Sequence, residues 1–230
     1  MNNRLSYLLR GILMLVVVLS CSGLNAQDKI NAFDANGKRT GVWKKYYNNN
    51  RIRYHGQFEA GKEVGVFKFY SALNSDHPVA IKVYDGDNSL VKAKFYSVEG
   101  VLESEGAMEV KERVGKWLYY HKDGKKVIAE EIYQKGELNG ESRTFYENGK
   151  VTEILNYKNG KLHGKVKRYS EEGTLLDDLL YFEGKMHGLA KYFNAKGELI
   201  YTGNYENDEK VGQWEYFENG KSEDVNKIKQ

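Results

Sequence analysis

A chain of 230 residues with a formal charge of +3, 24 glycines and 18 tyrosines, but one proline, suits short strands joined by tight turns rather than a helical bundle. Aromatic residues make up 13% of it and supply the burial that a disordered chain lacks. Its lysines and glutamates are interspersed, which excludes the concentrated basic surface that nucleic acid requires, and a single cysteine excludes an internal disulfide.

Residues 1–26 differ from everything after them. Arg4 and Arg10 precede an apolar run from Gly11 to Leu19, followed by small or polar residues from Ser20 to Ala26. This is the layout of a secretory signal peptide, and the run is shorter than the roughly 20 residues a membrane span needs. Two processing routes stay open. Leu24-Asn25-Ala26 before Gln27 suits signal peptidase, whereas Val18-Leu19-Ser20-Cys21 resembles a bacterial lipobox in which Cys21 becomes the lipidated first residue. The expected product is exported, either periplasmic, cell-envelope or secreted, or an outer-membrane lipoprotein. Cleavage after Ala26 removes two arginines and no acid, leaving a charge of +1.

Residues 27–36 read as an N-terminal cap segment, and a repeat begins at Gly37. Aligned on one anchor position it recurs at Gly41, Gly65, Val91, Gly115, Gly140, Gly164, Gly188 and Gly212, a period of about 24 residues that marks a repeat architecture. Four residues before the anchor stands Gly37, Gly61, Gly136, Gly160 or Gly184, replaced elsewhere by Asp87, Lys111 and Asp208. Two after it comes Trp43, Phe67, Trp117 or Trp214. Five after it an aromatic recurs in every unit: Tyr46, Tyr70, Tyr96, Tyr120, Phe145, Tyr169, Phe193 and Phe217. On a regular strand, positions two and five face opposite sides, and a bulge would bring them to one side.

Nine residues after the anchor stand Asn50, Asn74, Gly100, Gly124, Gly149, Gly173 and Gly197, with Gly220 one place early. These residue types accept positive φ, so a left-handed turn between two strands is expected there. Beyond the turn, period-two alternation such as Ile52, Tyr54, Gly56, Phe58 marks a second strand. Gly56, Gly106 and Gly203 share one repeat position, where a neighbouring aromatic is expected to lie across the strand. The second unit is irregular: Ser71 to Pro78 enlarges its turn, and Val91 replaces the next anchor, so a longer loop and a local distortion of the sheet are expected. The repeat domain spans 37–221, and a polar tail, 222–230, follows.

Gly-Lys-x-x-Gly, an aromatic stretch, Asn-Gly or its equivalent, and Tyr before the next Gly-Lys together resemble the MORN repeat, and more closely its bacterial variant in proteins labelled YwqK-type antitoxins. The resemblance implies an all-β fold, an elongated single-layer antiparallel sheet of tandem hairpins in about eight units. It implies a binding or scaffold module for a protein or cell-envelope partner, with possible membrane association and no catalytic residue in the repeat. Two alternatives are an antitoxin that neutralises a toxin by direct binding, and a cell-surface binder of glycan or lipid. Export weighs against the first, since antitoxins normally meet their targets in the cytoplasm.

Residues for a ligand or partner site are Trp43, Tyr46, Trp117, Tyr120, Trp214 and Phe217, whose rings suit sugar or lipid headgroups. The competing role for such rings is the hydrophobic layer that joins hairpins. His163 and His187 occupy one repeat position in adjacent units, but zinc takes three or four ligands and no matching thiolate or carboxylate accompanies them. No metal, cofactor or catalytic constellation is expected.

Overall fold

The computed structural model describes residues 29–85, 90–218 and, for the backbone only, 221–223. The signal segment with Cys21, Asp87, the Asn219-Gly220 turn and most of the tail lie outside the described residues. The rest folds as one antiparallel sheet of 20 strands laid down in sequence order. Eight hairpins succeed one another, from Arg39–Tyr46 with Ile52–Glu59 to Glu209–Glu218 with Lys221–Glu223. Four further short pieces complete the count: Ala32–Phe33 covers the start of the first hairpin, while Glu137–Leu138, Lys161–Leu162 and Lys185–Met186 are split from the strands that follow them.

Two kinds of turn alternate along the sheet. Within a unit, the chain reverses over four residues such as Tyr146–Gly149, where the Gly149 N–H donates to the Tyr146 carbonyl at 2.9 Å. The expected left-handed conformation is found at Asn50, Gly100, Gly124, Gly149, Gly173 and Gly197. Asn74 lacks it, because it lies in the enlarged loop before Pro78–Tyr84. Between units the turn is a two-residue one, with both residues at positive φ at Asn159 (φ 48) and Gly160 (φ 77) and likewise at Ala60–Gly61, Lys135–Gly136, Glu183–Gly184 and Asn207–Asp208, the type whose twist matches the flanking strands. The Gly160 N–H then donates to the Leu138 carbonyl of the preceding unit at 2.9 Å, a tie repeated at Gly61, Gly136, Gly184 and Asp208.

The anchor glycines sit at register slips. Gln57 pairs Val64 and His55 pairs Lys68, so three residues including Gly65 (φ 66) face Gly56 alone. A second slip follows each of the first seven anchors: Lys45 pairs Tyr54 but Tyr46 pairs Ile52, which leaves the extra residue on the partner strand. Because that slip does not reverse the alternation of the first strand, positions two and five do face opposite sides, and no bulge unites them. The third unit also departs from expectation. With Val91 in place of glycine, the ladder from Ala80–Phe95 to Tyr84–Val91 runs unbroken and Val91 is buried, so the unit expected to be distorted has the one regular junction among those described.

Packing is concentrated on one face, here the front. It holds the buried residues two after the anchor: Phe67, Ala93, Trp117, Ser142, Val166, Ala190 and Trp214. Two solutions fill the same site. Phe67, Trp117 and Trp214 lie flat over Gly56, Gly106 and Gly203, where a Cβ would come closer than 3.0 Å to the ring. In the other solution the residue two after the anchor is small and its diagonal partner large, as with Ala190 and Leu179, both buried in a cluster with Val166 and Trp214. Volume is thus conserved across the pair, as close packing demands.

Candidate binding face

The proposed site residues divide between the two faces. Trp117 is 0% exposed and Trp214 8%, so both rings belong to the front-face packing. Trp43 is half-buried, its Nε1 donating to the carbonyls of Ala32 and Thr40 at 3.1 Å, with Phe33 edge-on at 5.1 Å. Tyr46, Tyr120 and Phe217 lie on the back, where Tyr46 is 54% exposed. The Tyr120 hydroxyl donates to Glu105 Oε1 at 2.5 Å. Burial and that carboxylate push the phenol up to about 12. The six residues therefore do not converge on one surface.

Each tryptophan carries a cation that the repeat pattern alone did not single out. Arg39 lies 4.9 Å from the Trp43 ring, Arg113 4.7 Å from Trp117, and Lys210 4.2 Å from Trp214. The signal was available, since a basic residue stands four positions before every tryptophan. Arg113 Nη1 also donates to the hydroxyls of Tyr119 at 2.9 Å and Tyr133 at 3.3 Å, and Tyr133 donates to Glu131 at 2.6 Å. Burial, followed by the contacts with Tyr133 and Glu131, drives the Tyr119 phenol far up. The polar groups around Trp117 are thus satisfied by one another and hold that ring in place, whereas the buried Trp214 Nε1 has no hydrogen-bond partner among the described residues.

His163 and His187 do not stand side by side: the Phe182 ring lies between them, 5.1 Å from the first and 6.0 Å from the second. Among the described residues no group of three or more His, Cys, Asp or Glu is placed to hold a metal ion.

The back face is chemically uneven. Side chains that alternate away from the packed layer include exposed Val66, Val83, Leu189 and Phe182. In the later units its charges are matched across strands: Arg143 faces Glu130, and both Lys167 and Lys191 face Asp178. In the first three units Lys44 faces His55, Lys68 faces Ile81 and Lys92 faces Val83, with no carboxylate opposite. Burial and then the charges of Lys68 and Lys44 lower the His55 imidazole below its ordinary value. Beside this strip lies a hollow of about 400 Å³, with Ile81, Val83 and Leu118 as its aliphatic lining and Lys92, Lys94 and Lys116 around it. Two of those lysines are neutralised locally, Lys94 by Glu105 at 2.8 Å and Lys116 by Glu130 at 2.7 Å.

Residues 39–60, 138–159 and 186–207 match the sequence model of the MORN repeat variant, and each segment is one hairpin of the sheet. The chain carries MORN-variant repeats. The matched hairpins include Gly56 and Gly203, which Phe67 and Trp214 cover, and the small Ser142 and Ala190 two residues after their anchors. MORN repeats are generally binding or scaffold modules for proteins or membrane lipids, and the family is not enzymatic. No curated protein matches the chain by sequence. Among solved structures, a mutant of S. aureus TarM in complex with fondaparinux, alpha-GlcNAc-glycerol and UDP aligns with 57% of this chain at 11% identity and a TM-score of 0.25. The chain spans 21% of that protein's length, and a likeness at this score supports no conclusion about either fold or function.

Proposed function

We propose that this chain is an exported, non-enzymatic MORN-variant protein that holds a protein or cell-envelope partner on the back face of its sheet. One observation carries the reading: front-face rings are consumed by packing, whereas Val66 at 48% and Val83 at 39% exposure stand on the back among lysines that face no acid. A sheet that buries only one face leaves the other free for recognition, and exposed apolar groups amid charge are what partner surfaces offer. The export arm of the proposal rests on the arrangement of residues 1–26.

Two experiments test it. Fractionation of native cells should place the chain outside the cytoplasm with its N-terminal segment processed; an unprocessed chain retained in the cytoplasm would refute export. Pull-down from envelope extracts with residues 27–230 should retain a defined component, and Val66→Thr with Val83→Thr, which keeps β-branched side chains in the cross-strand pair, should weaken its retention without lowering the melting temperature. Retention unaffected by that pair would move the binding surface elsewhere.

A further inference from the structure

We infer that the hollow between the second and fourth units recognises an acidic protein segment that inserts an aliphatic side chain and presents carboxylates to Lys68 and Lys92. The inference rests on the binding-module reading and adds the partner's chemistry. Ile81, Val83 and Leu118 offer an apolar lining in a hollow of about 400 Å³, room for one large side chain. Lys68 and Lys92 border the same strands, with Ile81 and Val83 as their cross-strand neighbours. Charge complementarity sets the sign of the partner. Where this chain supplies its own acids, it places them across from the base, as Asp178 faces Lys167 and Lys191; here that position is aliphatic.

A protein is favoured over an anionic membrane for two reasons. The neutralisation of Lys94 and Lys116 by Glu105 and Glu130 leaves Lys44, Lys68 and Lys92 as the surplus, and roughly 1 kcal/mol per lysine at a membrane surface makes weak attachment. The aliphatic lining is also recessed, so a flat headgroup layer meets only the rim of the hollow, whereas a peptide side chain can enter it.

The test uses the full exported chain and two dye-labelled peptides of alternating residues, one Glu and Leu, the other Lys and Leu, with vesicles of phosphatidylcholine and phosphatidylglycerol as the membrane probe. The Glu-Leu peptide should bind, and Lys68→Glu or Lys92→Glu should weaken it about tenfold. Val83→Asp should abolish binding, while Lys196→Glu, the same charge change in a distant exposed turn, should leave it unchanged. Far-ultraviolet circular dichroism and melting checks that the variants remain folded. No binding, equal binding of the Lys-Leu peptide, binding insensitive to Lys68 and Lys92, or binding of the vesicles alone would overturn the inference. Envelope pull-down with the same variants separates the two proposals: a component retained equally by wild type, Lys68→Glu and Lys92→Glu leaves the chain a binding module with a different surface.

Discussion

The two faces of this sheet are built from the same repeat and solve opposite problems. On the front, rings, glycines and cations complete one another: Trp117 lies over Gly106, Arg113 lies over Trp117, and the Arg113 guanidinium is used by two tyrosine hydroxyls. On the back, Val66 and Val83 stay exposed, and lysines face aliphatic neighbours in the early units. Periodic packing therefore need not produce a periodic surface. Stability depends on what recurs along the front, whereas recognition depends on where the back breaks its own pattern.

Substitutions should separate the faces. The largest effect is expected on the front, where Trp117→Ala removes a fully buried ring and should cost about 3 to 5 kcal/mol in chemical denaturation. Gly106→Ala should follow with a loss of about 1 to 3 kcal/mol, because the added methyl meets the indole head-on. Adding Gly106→Leu to Trp117→Ala transfers the Leu179–Ala190 solution into this site, so the double variant should be more stable than Trp117→Ala alone; an equal or lower stability would refute the idea that volume is traded across the pair. Arg113→Met should cost about 1 to 2 kcal/mol by uncovering the ring and removing two donors.

Tyr146→Phe should cost about 1 kcal/mol, since its hydroxyl donates to the Tyr169 carbonyl of the next unit at 2.9 Å, as Tyr47 does to Tyr70 at 2.8 Å. The smallest effect concerns pH. Folding lowers the His55 pKa, so the folded chain binds fewer protons than the unfolded one between that lowered value and about 6.5. Stability supplied by neutral His55 is therefore present above that window and lost as pH falls through it. His55→Gln should flatten the melting temperature over this range, and an unchanged profile would exclude His55 as the source.

Much of the architecture was legible because the glycines of the 24-residue period stand where the chain needs positive φ or a missing Cβ, at turns, at register slips and beneath rings. Gly56, Gly106 and Gly203 foretold rings across the strand, and the structure places Phe67, Trp117 and Trp214 there. The destination of the aromatic five after the anchor was not legible. Its recurrence suggested the packing layer, yet Tyr46, Tyr70 and Tyr120 point to the back, where Tyr70 stacks on His55 at 6.2 Å. The first strand simply alternates from position two to position five, because the extra residue of the slip, Arg53 in the first hairpin, lies on the neighbouring strand and leaves no mark in the periodicity of the first. Val91 misled for a related reason: without glycine the chain omits the slip and runs regularly. As for the candidate site, the sequence listed rings without their faces, and the lysines matter only through what the register sets opposite them.

The central claim, a front face committed to packing and a back face left for a partner, is tested most directly by site-specific photo-cross-linking in envelope extracts. A photoreactive side chain would replace Val83 on the back and, separately, Tyr201 on the front, where Tyr201 stacks on Tyr192 at 4.3 Å. A discrete adduct from position 83 and none from position 201 is the predicted result. An adduct from position 201 alone would contradict the account.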